Sequence, residues 1–290
     1  MSVIRIERLQ KYYGKHIGVR DVTFSVEEGE IFGFVGPNGA GKSTTIKVLM
    51  GFIFAGGGSA SICGLDVRRD TKKIKAFTGY VPNDVRLYQN MRVNELLKRN
   101  AAFYPGESMS EAERLCRLFE VDRSKRFHEL SNGNKKKVSI VCALMSRPKV
   151  IILDEPTNGL DPVMQKRLFE ELKRQAALGA TTLLSSHNLA EVQEYCDRVA
   201  FIKSGSILTV ISLDEAVGPR KIIAVTGGTR EIPAGFELVK ENGGKRVLRS
   251  GLGSAALVSA LAKIAPEDFT VENESMEERF WDLYGREENK

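Results

Sequence analysis

Residues 31–49 read Ile31-Phe32-Gly33-Phe34-Val35-Gly36-Pro37-Asn38-Gly39-Ala40-Gly41-Lys42-Ser43-Thr44-Thr45-Ile46-Lys47-Val48-Leu49. The run Ile31 to Val35 is too apolar for a half-exposed strand and reads as a buried parallel one. Ser43 to Leu49 carries helical spacing. Between them, Gly36 to Ser43 matches GxxxxGK[ST] in full. Gly36, Gly39 and Gly41 let the backbone curl until successive N–H groups converge on phosphate oxygens. The following helix aims its N-terminus at the same anion. Lys42 would reach the outer phosphates of a nucleotide, and Ser43 would offer its hydroxyl to Mg²⁺. Strand, glycine loop and helix form one phosphate-binding unit.

Working outward, the same α/β alternation recurs. Val22, Phe24 and Val26 point one way, and Glu27 to Glu30 form a turn into the decisive strand. A short strand is expected at Gly79 to Pro82. Helical spacing runs from Arg92 to Phe119, punctuated at Pro105-Gly106, and resumes at Val138 to Met145. Val150 to Leu153 is another buried strand, ending in Asp154 and Glu155. Such a strand puts Asp154 beside the glycine loop, where it can hold a Mg²⁺ shell, and Glu155 where it can polarise a water. A helix around Leu168, Leu172 and Ala176 closes at Gly179 before a strand at Thr181 to Ser185. Strands alternating with helices predict a mostly parallel central sheet. Past Leu213 the texture changes to short strands (Ile222 to Val225, Phe236 to Val239, Val247 to Leu248). Helices are then expected at Ser254 to Ile264 and Ser275 to Tyr284, the second opened by a Ser275/Glu278 capping box.

The 290 residues suit two domains, and 42% hydrophobic with 28% charged excludes a disordered or disulfide-scaffold chain. The net charge of +6 is uneven: residues 213–290 hold 11 basic and 14 acidic side chains, so the excess lies in residues 1–212. A basic first part fits an anionic ligand, an acidic partner or a membrane surface. Cys63, Cys116, Cys142 and Cys196 are far apart and read as reduced core thiols. The first ten residues carry charges, so no signal peptide is expected, and no apolar run approaches the roughly 18–20 residues that cross a bilayer.

Four segments occur in order: GPNGAGKST at Gly36 to Thr44, LSNGN at Leu130 to Asn134, ILDEPTNGLDP at Ile152 to Pro162, and SSHNLAEV at Ser185 to Val192. Over residues 3–212 the chain resembles the ATP-binding subunit of an ABC transporter. The resemblance implies an α/β P-loop NTPase core of the ABC ATPase type with an antiparallel β subdomain and a helical subdomain at about 88–148. Residues 1–212 would form this domain and 213–290 a C-terminal α+β accessory domain. ATP and Mg²⁺ are the implied ligands, held by Gly36, Pro37, Asn38, Gly39, Ala40, Gly41, Lys42, Ser43 and Thr44, with Asp154 and Asn83 near the metal. Lys42, Glu155 and His187 are the implied catalytic residues. His187, 32 residues past Glu155, is the expected γ-phosphate switch. Tyr13 matches the aromatic that stacks on adenine, with Tyr12 its rival. Ser131 and Gly133 would meet the γ-phosphate of a second copy, and Asp161 lies in the loop expected to communicate with it.

Two departures stand out. Asn83 occupies the place of a Gln and keeps the amide but is one methylene shorter, so its reach to metal or water is reduced unless a water bridge or a shift of the loop restores it. LSNGN replaces LSGGQ, with Asn132 and Asn134 the changed positions; the turn is expected to survive because Asn tolerates left-handed backbone. The resemblance implies a homodimer sandwiching two ATPs, peripheral on the inner face of the membrane through a separate membrane-spanning permease, with no specific nucleic acid. The tail, Ser275 to Tyr284, resembles ABC-2-type exporters and implies export. The competing class is a soluble ABC-type ATPase acting on nucleic acid or ribosomes. Lys135 to Lys137 read as a solvated helix face, with phosphate steering the alternative. Arg68, Arg69, Lys72, Lys73 and Lys75 suit an anionic lipid or partner as well as a plain surface.

Overall fold

A computed structural model describes residues 1–274 except 87, 105, 107 and 214–219. The helix expected at Ser275 to Tyr284, and with it the exporter-like tail, lies outside the described residues. The chain forms two compact units, Met1–Ile211 and Ser212–Lys290.

In the first unit the strands are β1 (Ser2–Tyr13), β2 (His16–Glu27), β3 (Ile31–Val35), β4 (Gly57–Ile62), β5 (Leu65–Asp66), β6 (Thr78–Val81), β7 (Val150–Asp154), β8 (Thr181–Ser186), β9 (Arg198–Lys203) and β10 (Ser206–Ser212). They make one sheet, ordered β5-β4-β1-β2-β10-β9-β3-β8-β7-β6. One end, β5-β4-β1-β2, is antiparallel. The other is parallel from β9 through β3, β8 and β7 to β6. All five residues of β3 and of β7 are buried, as strands covered on both faces must be. Register decides where the site falls. Val35 pairs with Ser186, Asp154 with Ser185, and Val81 with Leu153. The carboxyl ends of four strands therefore finish side by side, and their loops leave from one edge, the usual ligand edge of an open α/β sheet.

Helix α1 (Lys42–Leu49) lies against the sheet with Ile46, Val48 and Leu49 buried among Phe24, Phe32 and Phe34. The Phe24 and Phe32 rings stack at 5.1 Å. Each such side chain stabilises the fold by about 1.5–3 kcal/mol. Next come α2 (Thr71–Ala76), α3 (Val93–Ala101), α4 (Ser108–Leu118), α5 (Asn132–Leu144), α6 (Pro162–Ala177) and α7 (Leu189–Tyr195). α3 ends at Ala101 and α4 begins at Ser108; both contact α5, and Leu96, Leu97, Leu115, Val138 and Val141 of these helices are buried. A knot of charge joins α4 to α6. Glu111 and Glu171 are both 3% exposed and share Arg114, Arg147 and Arg174 at 2.6–2.8 Å.

In the second unit, β11 (Lys221–Thr226), β12 (Phe236–Asn242), β13 (Lys245–Ser250) and β14 (Asp268–Asn273) form an antiparallel sheet ordered β12-β13-β11-β14. Helix α8 (Ser254–Ile264) packs Leu257, Leu261 and Ile264 on Ile223, Val225 and Leu248.

Three expectations need correction. Cys63 is exposed, because it occupies the turn between β4 and β5, so it is no core thiol. Asn132 is the first residue of α5, with Ser131 as N-cap accepting from Asn134 N, so no left-handed backbone is needed there. Lys136 is buried, whereas the three lysines read as a solvated face.

Candidate functional site

The loop Gly36 to Gly41 joins β3 to α1, and Pro37, Asn38, Gly39, Gly41, Lys42, Ser43 and Thr44 line an open cleft of about 140 Å³. Gly18, Asn83 and Glu155 complete the lining. Gly41 has φ +114°, and a Cβ there would lie 2.6 Å from Gly18 O, so only glycine fits. Gly36 and Ala40 support the loop from below: Gly36 abuts Ile202, and Ala40 is buried.

Lys42 is 5% exposed and donates to Gly36 O at 2.6 Å and Pro37 O at 3.3 Å. Its ammonium also lies 3.1 Å from Glu155 Oε1. The other Glu155 oxygen is 2.7 Å from His187 Nδ1. Lys42, Glu155 and His187 thus form one chain of contacts from the start of α1 to the loops that follow β7 and β8. Ser43 donates to Asp154 Oδ1 at 3.0 Å, and Ser185 donates to the same oxygen at 2.7 Å. Ser185 Oγ also accepts from Glu155 N at 3.0 Å. Glu155 itself has φ +49°, a left-handed conformation that costs a non-glycine about 1–3 kcal/mol. Hydrogen bonds on both sides of its peptide hold it there: Ser185 takes the N–H, and Lys136 Nζ donates to Glu155 O at 3.2 Å.

Tyr13 and Tyr12 have different surroundings. A Cβ on Gly18, a lining residue, would meet Tyr13 Cε2 at 2.8 Å, so the half-exposed Tyr13 ring stands at the cleft's rim. Tyr12 instead lies near Gly56. Asn83 does line the cleft, and its backbone carbonyl accepts from Lys136 at 2.9 Å. Ser131, Gly133 and Asp161 fall outside the lining. Asp161 caps α6, accepting from Met164 N at 3.0 Å ahead of Pro162. Gly133 touches the loop after Glu155: a Cβ there would lie 2.4 Å from Gly159 O. Sequence reasoning missed Ser185 and Lys136 as site residues. Ser185 belongs to a fully buried strand, and nothing in the triple lysine distinguishes its middle member except its helical spacing to the buried Ile140 and Ala143.

A strand-end cluster of one lysine, two carboxylates and a histidine, beside a loop of convergent amides, is built to hold and cleave a polyphosphate. Known proteins agree. The ABC transporter family pattern matches residues 19–158. The linearmycin resistance ATP-binding protein of Bacillus subtilis (strain 168) is 33% identical over 213 residues, 72% of this chain and 68% of that protein. This chain belongs to the ABC transporter ATP-binding proteins. The Nod factor export ATP-binding protein I of Paraburkholderia xenovorans (strain LB400) is 35% identical over 214 residues, covering 70% and 69% of the two chains. A solved ATP-binding subunit of an ABC transporter superposes with a TM-score of 0.70 at 34% identity, over 74% of this chain and 91% of that one. As a member of this family of ATPases, the chain binds ATP and hydrolyses it. Among the described residues no helix is long and apolar enough to cross a membrane.

Proposed function

We propose that this ABC transporter ATP-binding protein powers export through a separate membrane-spanning subunit, working as a pair of copies on the inner face of the membrane. The observation that carries the catalytic half is the contact chain Lys42, Glu155, His187 beside Ser43 and Asp154. Lys42 would exchange its loop carbonyls for the β- and γ-phosphates. Glu155, held between Lys42 and His187, takes the proton of the attacking water. His187, with 54% of its side chain exposed, is free to turn its ring toward the γ-phosphate. Tyr13 supports the adenine by stacking, which is tolerant of the base. Ser43 Oγ and Asp154 Oδ1 are hard oxygens 3.0 Å apart, a donor set that suits Mg²⁺, which would neutralise phosphate charge.

The paired arrangement is supported by the position of the LSNGN segment. Ser131 and Gly133 begin α5 away from their own chain's cleft, so a second copy could present them, with the helix N-terminus, to the first copy's γ-phosphate. Asp161 would then lie in the loop between copies. Residues 213–290 would be an accessory domain rather than part of the ATPase. Export is favoured by relatives whose names denote resistance and export.

Two measurements test this reading. Lys42→Ala in the full chain should abolish ATP turnover or weaken ATP binding, since a buried cation facing the phosphates is lost; normal hydrolysis would sink the phosphate-site assignment. Affinity purification from membranes should recover an integral membrane protein. Co-sedimentation with ribosomes in its place would move the chain to the soluble class.

A further inference from the structure

Lys136 lies one turn into α5, 3% exposed, with its ammonium against three backbone carbonyls. They are Asn83 O at 2.9 Å, Pro82 O at 3.0 Å and Glu155 O at 3.2 Å. An ammonium has three N–H donors and no acceptor, so donors and acceptors match in number. Burial pushes its pKa below the usual lysine value, against the pull of Asp154, Glu155 and Asp84. The three carbonyls belong to two different loops. One follows β6 and carries Asn83; the other follows β7 and carries Glu155, whose left-handed backbone needs holding.

We propose that Lys136 is a positioning residue for hydrolysis, pinning the Asn83 loop and the Glu155 peptide to the first turn of the helix that begins at Ser131. The inference rests on the reading of Glu155 as the base. It answers the question that the short Asn83 side chain raises. Two carbonyls of that loop are drawn onto the ammonium that also grips Glu155, so the amide stands at the cleft without the extra methylene of a Gln. It also gives the surface offered to a second copy a rigid link to its own chain's site. A shift of α5 moves Asn83 and Glu155 with it.

The test is Lys136→Met in the full chain, which keeps the apolar stem and removes every donor. The expected result is a kcat lower by about 10²-fold, the loss that a misplacement near 1 Å produces. The equilibrium Kd for ATP should change less than about threefold, because no phosphate-contacting group is altered. Asn83→Gln in the same chain should recover part of the loss, since a longer side chain regains reach when the loop relaxes. An unchanged kcat, or kcat and ATP affinity falling together, overturns the proposal. If Lys136→Met does not fold, Lys136→Gln, which keeps two donors, replaces it with an expected loss near tenfold; failure of both to fold makes Lys136 a folding residue and overturns it equally. Glu155→Gln measured alongside separates the two readings. Normal turnover in Glu155→Gln removes the base assignment, whereas an inactive Glu155→Gln with an unaffected Lys136→Met removes the clamp alone.

Discussion

Glu155→Gln replaces a carboxylate that is 4% exposed and flanked by Lys42 on one oxygen and His187 on the other. An amide has one acceptor and one donor end, so its orientation is dictated. The oxygen must face the Lys42 ammonium, and the NH₂ must face His187 Nδ1, which can accept when the ring proton is on Nε2. Both contacts survive in shape, and the proton acceptor is gone. Loss of a general base costs about 10²–10⁴ in rate, or about 2.7–5.4 kcal/mol of barrier. Phosphate release measured at saturating ATP reads this directly. ATP should still bind, because Lys42, Ser43 and the loop amides are unaltered, so the γ-phosphate persists. That phosphate is what Ser131 and Gly133 of a second copy would recognise. ATP should therefore shift the variant from monomer to dimer, as any ligand that binds the paired state better must. ADP should not. Size-exclusion chromatography with light scattering is the assay. A variant that hydrolyses within tenfold of the parent refutes the base; one that binds ATP tightly and stays monomeric at high concentration refutes the sandwich.

Asn83→Gln should be tolerated and hold or raise kcat, since the cleft is open at Asn83; a loss beyond tenfold in phosphate release would mean that the shorter amide makes its own contact. Gly133→Ala should fail, because its Cβ would press to 2.4 Å on Gly159 O, a backbone atom; overpacking of this kind costs about 1–3 kcal/mol, visible as a lowered urea midpoint. Acid should unfold the first unit through Glu111 and Glu171. Burial pushes both carboxyls up, but hydrogen bonds from the arginines outweigh it and hold them below the ordinary value of 4.5. Their stabilisation is complete above the unfolded value and is lost as pH falls from about 4.5 through the lower folded values. Glu30 and Glu191, which burial pushes up, act in the opposite sense. Thermal melts from pH 7 to 3 on the parent and on Glu171→Gln should show a shallower acid decline in the variant, and parallel curves would refute the assignment.

The central sheet was legible because its strands advertise themselves. Ile31 to Val35 and Val150 to Leu153 are apolar at every position, as only doubly covered strands are, and both end in a chemical motif. β14 was illegible for the opposite reason: all six of its residues are exposed, so no period of burial marks them. β4, with Gly57, Gly58 and Ser59, has β propensity too weak to read, and is held by pairing to β1. Within the site, the residues fixed by a spacing rule (Lys42, Ser43, Asp154, Glu155) were found together. Those recruited by tertiary packing were not. Lys136 owes its role to carbonyls 19 and 53–54 residues away, a relation that no local pattern encodes.

The knot of Glu111 and Glu171 with Arg114, Arg147 and Arg174 bears on how this chain can be recombined with its relatives. Its members come from α4, from the residues just before β7, and from α6, so any graft of the helical region severs it along a seam. A transplant that brought Glu111 and Arg114 without Arg147, Glu171 and Arg174 would leave the buried Glu111 carboxylate with one of its three guanidinium partners. Breaking a fully buried pair one-sidedly costs about 3–5 kcal/mol, and solvent at the half-exposed arginines lowers that here. The five side chains should therefore travel as a set. Chimeras that respect the set should fold where otherwise similar ones collapse.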